Sequence, residues 1–166
     1  MGARPWPLLL LLLSGCSVDP VDRALDAMYR EDLAAKREAL RVLGRSEDET
    51  RALPVLLESL EEADLRDEAG RQLVLWGRRW EAHNKASDLK HNPVLAEVGA
   101  LAARADPEVE VRCKAVWVLG EVGARSARKS IEAAYAGDSA RVAAVKVKAL
   151  QKLGFTTEAR GRELIR

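Results

Sequence analysis

Aromatic residues are scarce: one Phe, two Tyr and four Trp in 166 residues. A core built here cannot rest on aromatic bulk, and Ala, Leu, Val, Arg and Glu, the vocabulary of packed helices, dominate instead. Cysteine occurs only at positions 16 and 113. The longest apolar run, Pro7 to Leu13, falls far short of the roughly 20 residues a membrane-spanning helix needs. The chain lacks a Gly-rich phosphate loop, a zinc-ligand cluster and a nucleophile elbow. It therefore reads as a non-enzyme with no cofactor and no metal. No dense basic tract is present, which argues against nucleic acid as a partner.

What is present begins with "LLLLLLSGCSVDP" (8–20). Arg4 supplies a positive n-region and Pro7–Leu13 an apolar h-region, the pattern of a cleaved targeting segment. "LSGC" (13–16) resembles the lipobox of bacterial lipoprotein signals, with Leu at −3, small residues at −2 and −1, and Cys at +1. The resemblance implies that Cys16 receives a diacylglyceryl group and becomes the acylated first residue. Ser17, where Asp would imply retention in the inner membrane, implies the outer membrane, facing the periplasm. The alternative is an ordinary secretory signal with an unrelated cysteine. A lipidated Cys16 leaves Cys113 alone, so the fold would stand on packing without a disulfide.

Four segments end alike: "AKREALRVLG" (35–44), "EAGRQLVLWG" (68–77), "VRCKAVWVLG" (111–120) and "VKVKALQKLG" (145–154). Their glycines are 33, 43 and 34 residues apart, which is a repeat with an insertion at 78–92. Each segment is expected to be a helix stopped by its glycine, the favoured residue for a left-handed C′ position. Asp19-Pro20, Asn92-Pro93 and Asp106-Pro107 read as helix starts. "SEDE" (46–49) reads as a capping box with Ser46 as cap and Glu49 at N3. Between Gly44 and Gly77 lie two helices, in 51–63 and 66–77, with a turn at Asp64. Each repeat is thus an αα-hairpin. The expected fold is all-α, a solenoid of about four hairpins over 21–154. Residues 1–15 would be the signal, 16–20 a tether, and 155–166 a capping helix or tail with Thr157 as a helix start.

Residues 51–77 and 105–123 resemble HEAT-like repeats of the phycobilisome-lyase type. Ala52-Leu53-Pro54 matches that pattern's first helix. Asp106, Pro107, Val111, Arg112, Ala115, Leu119 and Gly120 match its turn and second helix. The first repeat keeps Lys36, Ala39, Leu43 and Gly44. The fourth keeps Val145, Ala149, Leu153 and Gly154, with Lys146 for the Arg. The second departs, with Glu68-Ala69 where Val-Arg is expected. The resemblance implies that Arg112 is structural and ties adjacent repeats through their turn aspartates. Tetratricopeptide repeats have a similar period, but their Trp-x-x-Leu-Gly…Tyr pattern is missing.

Counting back from each glycine assigns faces. Positions −5, −4 and −1 are apolar in nearly every repeat and should be core: Ala39, Leu40 and Leu43; Ala115, Val116 and Leu119; Ala149, Leu150 and Leu153. Positions −6 and −3 are neighbours on a helix surface: Glu38 and Arg41, Arg71 and Val74, Lys114 and Trp117, Lys148 and Gln151. In solenoids of this kind the second helices line the concave face, so Arg71, Val74, Lys114, Trp117, Lys148 and Gln151 form the expected partner-binding stripe. Trp117 beside Lys114 is an anchor type; the competing reading has Trp117 packed against the insertion or its own neighbours. The insertion holds Trp80, His83 and His91. With Asp88 it makes a thin metal set, and a surface loop is the plainer reading.

Residues 16–103 hold 13 Lys and Arg against 18 Asp and Glu, a net of −5, whereas 104–166 hold 13 against 8, a net of +5. An acidic anchor-proximal half and a basic distal half suit an acidic partner; a solvated surface with an accidental bias is the bland alternative. The expectation is a lipid-anchored adaptor that binds another envelope protein. The runner-up is an assembly or piloting lipoprotein for an outer-membrane or secretion component, and a bilin-lyase-like enzyme stands further back.

Overall fold

The structure, a computed structural model, describes residues 19–30, 32–84 and 92–155. The lipobox with Cys16, the residues 85–91 with Asp88 and His91, and the tail with Thr157 lie outside these residues. All regular structure among the described residues is helical, in eight α-helices: α1 (Pro20–Met28), α2 (Leu33–Arg45), α3 (Glu49–Glu58), α4 (Arg66–Asn84), α5 (Pro93–Ala103), α6 (Val109–Val122), α7 (Arg128–Ala133) and α8 (Ala140–Lys152). A 3-10 turn at Arg125–Ala127 leads into α7. No helix among them is long and apolar enough to cross a membrane.

Consecutive helices pair into four hairpins, α1–α2, α3–α4, α5–α6 and α7–α8. The second helices pack side by side in the order α2, α4, α6, α8, while α3, α5 and α7 run along the other layer. The core lies between the layers. Leu40, Leu43, Leu56, Leu60, Leu65, Leu73, Val94, Val98, Val116, Leu119 and Ile131 are fully buried there. A lone hairpin exposes its apolar face, and stacking removes it from water. The expected core positions hold: all nine are buried or half-buried, Leu150 being the half-buried one.

The glycines do a different job from the one expected. Only Gly154 follows its helix in a left-handed conformation, at φ +80°. There Phe155 N donates to Leu150 O at 2.9 Å and Gly154 N to Gln151 O at 2.9 Å, the paired bonds of a Schellman end. Gly44, Gly77 and Gly120 are helical. Each sits where its helix meets the next second helix. A Cβ on Gly44 would lie 2.7 Å from Gln72 Cβ, on Gly77 2.8 Å from Val122 Cγ2, and on Gly120 2.8 Å from Ala149 Cβ. The absent side chain sets the approach of α2 to α4, α4 to α6 and α6 to α8. Helix α6 ends three residues later, at Gly123 with φ 82°. Helix α4 runs on to Asn84, so the first part of the 78–92 insertion is helix.

Two helix starts also differ. Asp48, not Ser46, caps α3: its carboxylate accepts from Arg51 N at 3.1 Å, while Ser46 Oγ accepts from Asp48 N at 2.9 Å. Helix α6 begins at Val109, after Pro107, with no side-chain cap, and Asp106 instead pairs with Arg104. Asp19 and Asn92 cap as expected, accepting from Val21 N at 2.9 Å and Val94 N at 3.1 Å.

Arg112 is buried and structural, but its partners are not turn aspartates. Its guanidinium donates to Ala105 O at 2.7 Å and lies 5.3 Å from the Tyr135 ring centre in the next hairpin. The link to the neighbouring repeat is a stacked ring, and the Asp106 carboxylate is paired with Arg104.

Candidate functional site: a groove over the second helices

A hollow of about 670 Å³ runs over α6 between the start of α4 and α8. Its floor is Cys113, Trp117, Gly120, Val145 and Ala149. The close contact of Gly120 with Ala149 draws α8 down onto α6 and leaves Trp117 and Val145 as the floor's bulk. Charged pairs rim it. Lys114 Nζ donates to Asp67 at 2.5 Å, Arg141 pairs with Glu110, and Lys152 meets Glu121 at 2.5 Å. Lys148 stands on the α8 wall with no partner among the described residues. The rim holds five cations, Arg66 being the fifth, and three carboxylates. The hollow is thus apolar at its base and net positive at its edge.

Trp117 is half-buried and packed against the core. Lys114 lies over its ring at 4.6 Å, a favourable cation–π distance. A Cβ at Gly70 of α4 would meet Lys114 Cδ at 2.8 Å and Trp117 at 3.4 Å. Trp117 therefore packs against its own neighbours and also floors the groove. Asp67 titrates below the usual carboxylate range because Lys114 donates to it. Burial pushes the Cys113 thiol up, disfavouring the thiolate. A thiol so placed packs rather than reacts.

The expected stripe divides. Lys114, Trp117 and Lys148 come together in the groove. Arg71 lies instead in a neighbouring polar hollow of about 340 Å³, with Arg37, Arg41 and Glu68. Val74 is buried, only 6% exposed, and is no surface residue. Gly70, Val74 and Gly77 are spaced i, i+4, i+7 on α4, and both glycines face α6; Val74 is held between them. Gln151, at the matching place on α8, is exposed. Residues that the sequence reading missed are Asp67, Glu110, Arg141 and Lys152. Their signal was present: each lies one or two turns along the same helices as the stripe, Asp67 and Glu110 on the side facing the next repeat, Arg141 and Lys152 on the side facing the one before.

In the neighbouring hollow, Glu68 is buried and accepts from Arg71 at 2.6 Å, Gln72 at 2.8 Å and Arg41 at 3.3 Å. Burial alone would raise its pKa, but the three donors outweigh it and hold the carboxyl below its ordinary value. The departure of the second repeat from the Val-Arg pattern is thus a relocated polar cluster: the charge tying α2 to α4 is a buried acid, with the bases outside.

At the far end of α4, Trp76 Nε1 donates to Ser46 O at 2.9 Å, and Arg79 donates to the closing carbonyls of α2, at 3.1 Å to Arg45 O. Trp80 is half-buried and His83 exposed, and among the described residues no group of three or more His, Cys, Asp or Glu could hold a metal.

Residues 35–62 match the PBS lyase HEAT-like repeat. The matched stretch covers most of α2, the turn and all of α3, the second helix of one hairpin and the first helix of the next. The chain matches no curated protein and no solved structure.

Proposed function

We propose that the chain is a lipid-anchored HEAT-like repeat adaptor of the bacterial cell envelope, docking another envelope protein in the groove over α6. The observation that carries this reading is a half-buried Trp117 floor with Lys148, unpaired among the described residues, beside it. An aromatic surface in a hollow supplies an anchor, and a free charge at its edge selects the partner's sign. The net-positive rim suits an acidic partner surface. The "LSGC" stretch, with Cys16 as the lipid-bearing residue and Ser17 after it, supports attachment to the outer membrane on its periplasmic side. The apolar floor and the charged rim support a binding role for the groove.

The test is an in-cell crosslink and pull-down of the membrane-anchored protein, wild type beside Trp117→Ala plus Lys148→Glu. One partner captured by wild type and lost with the double change is the expected result. A partner retained despite the change would move the working surface elsewhere. Mass spectrometry of the chain's N-terminal peptide, expected to carry acyl chains on Cys16, tests the anchor separately.

A further inference from the structure

We infer that the groove also receives a second copy of this chain, through the turn between α1 and α2. The inference rests on the groove being a working surface and adds a specific occupant. Tyr29, at the end of α1, is 91% exposed, more than any other large apolar side chain described. A ring with one polar tip is a frequent anchor of an interface. It sits in "DAMYRED" (26–32), three carboxylates against one arginine. The Asp26 carboxylate has no partner among the described residues, while Asp32 caps α2 through Ala34 N at 2.9 Å.

The groove presents the converse pattern. Its apolar floor ends in Trp117 and Val145, and the cation Lys148 is unpaired among the described residues. From Glu110 to Glu121 it follows α6 for about 16 Å, at 1.5 Å rise per residue, long enough to receive one helix turn with its anchor. Tyr29 of one copy over Trp117 of the next, with Asp26 against Lys148, satisfies both. The halves of the chain carry opposite net charge, −5 for 16–103 and +5 for 104–166, so long-range attraction favours this polarity and opposes like ends meeting.

Two different surfaces meet, so the contact is head-to-tail. Copies would form rows in which the last molecule keeps its groove free. One ring and a few exposed charges make a small interface, in the weak and transient class.

The test uses the full chain purified in a non-ionic detergent, studied by sedimentation against concentration and salt. Wild type is expected to associate in a graded way at low salt and to dissociate by about 0.5 M NaCl, where screening is strong. Lys148→Glu, and separately Asp26→Lys plus Tyr29→Ala, are each expected to weaken association at least tenfold. All three positions are exposed, and circular dichroism checks the fold. The deciding step mixes the two variants. Each retains the surface the other lacks, so together they should form a 1:1 dimer and stop. Wild type that stays monomeric at 100 µM, variants that associate as wild type does, or a mixture that forms no dimer would overturn the inference. If the chain stays monomeric while cell crosslinks to another protein still require Trp117 and Lys148, the adaptor reading stands and this one fails.

Discussion

Gly120 lies so close to Ala149 that a methyl group placed on it would sit 2.8 Å from the alanine Cβ and 3.0 Å from its Cα. The neighbour is partly main chain and cannot swing aside. Gly120→Ala is therefore expected to push α6 and α8 apart and to destabilise the fold by about 1–3 kcal/mol, despite alanine's better helix propensity. Urea unfolding checks this. A stabilised variant would show that the approach of these helices is looser than described.

Glu68 gives a pH dependence of definite sign. Its carboxyl, like those of Asp19, Asp48 and Asp67, is held below the ordinary value in the folded chain. The stability these groups add is full above the ordinary carboxylate range, about pH 4. It is lost as pH falls through the folded values. Glu68→Gln should flatten the acid limb of a plot of unfolding free energy against pH. Glu68→Ala, which leaves Gln72 without its acceptor, should cost about 1–3 kcal/mol at neutral pH.

Asp48 and Ser46 separate by mutation. Asp48→Ala removes the α3 cap and one carboxylate of Arg51, which donates to it at 2.5 Å, to Asp22 at 2.7 Å and to Asp19 at 2.8 Å. Losing the cap leaves a first-turn N–H of α3 without its acceptor. Ser46→Ala removes only a bond within the turn and should cost less. Thermal unfolding of the pair checks the order, and the reverse order would restore Ser46 as the cap.

Cys113 should react with a disulfide reagent at neutral pH far more slowly than a free thiol, in a chain where Cys16 is replaced by serine. Burial raises its pKa and leaves little thiolate. Reactivity should rise with urea in step with the loss of helicity. Fast labelling of the folded chain would instead mean that the groove floor opens.

The layered fold was legible because its signal is chemical and periodic. Ala39, Leu40 and Leu43, with their counterparts in the later repeats, are apolar where a helix must meet the core, and nothing else explains that spacing. Asp19 and Asn92 were legible as caps because a proline follows each, but the same signal at Asp106-Pro107 misplaced the start of α6 by two residues. The glycines were not, since an interior close approach and a left-handed turn call for the same residue. Reading them as stops cut α4 short at Gly77, although Arg78 to Asn84 continue the helix. The groove was half legible. Trp117, Lys114 and Lys148 were found by offset from a repeat mark, but the offset alone does not tell a free surface from one facing the next helix. Val74 was assigned wrongly for that reason.

The four glycines align as one column of a repeat, yet they obey two constraints. At 44, 77 and 120 the demand comes from a neighbouring helix, and any side chain violates it. At 154 no atom comes within 4 Å of the added Cβ, and the demand comes from the residue's own torsion, which asparagine also tolerates. A substitution profile that scores the column as one property would average a demand for empty space with a demand for backbone handedness. It would misjudge which glycine can vary and into what.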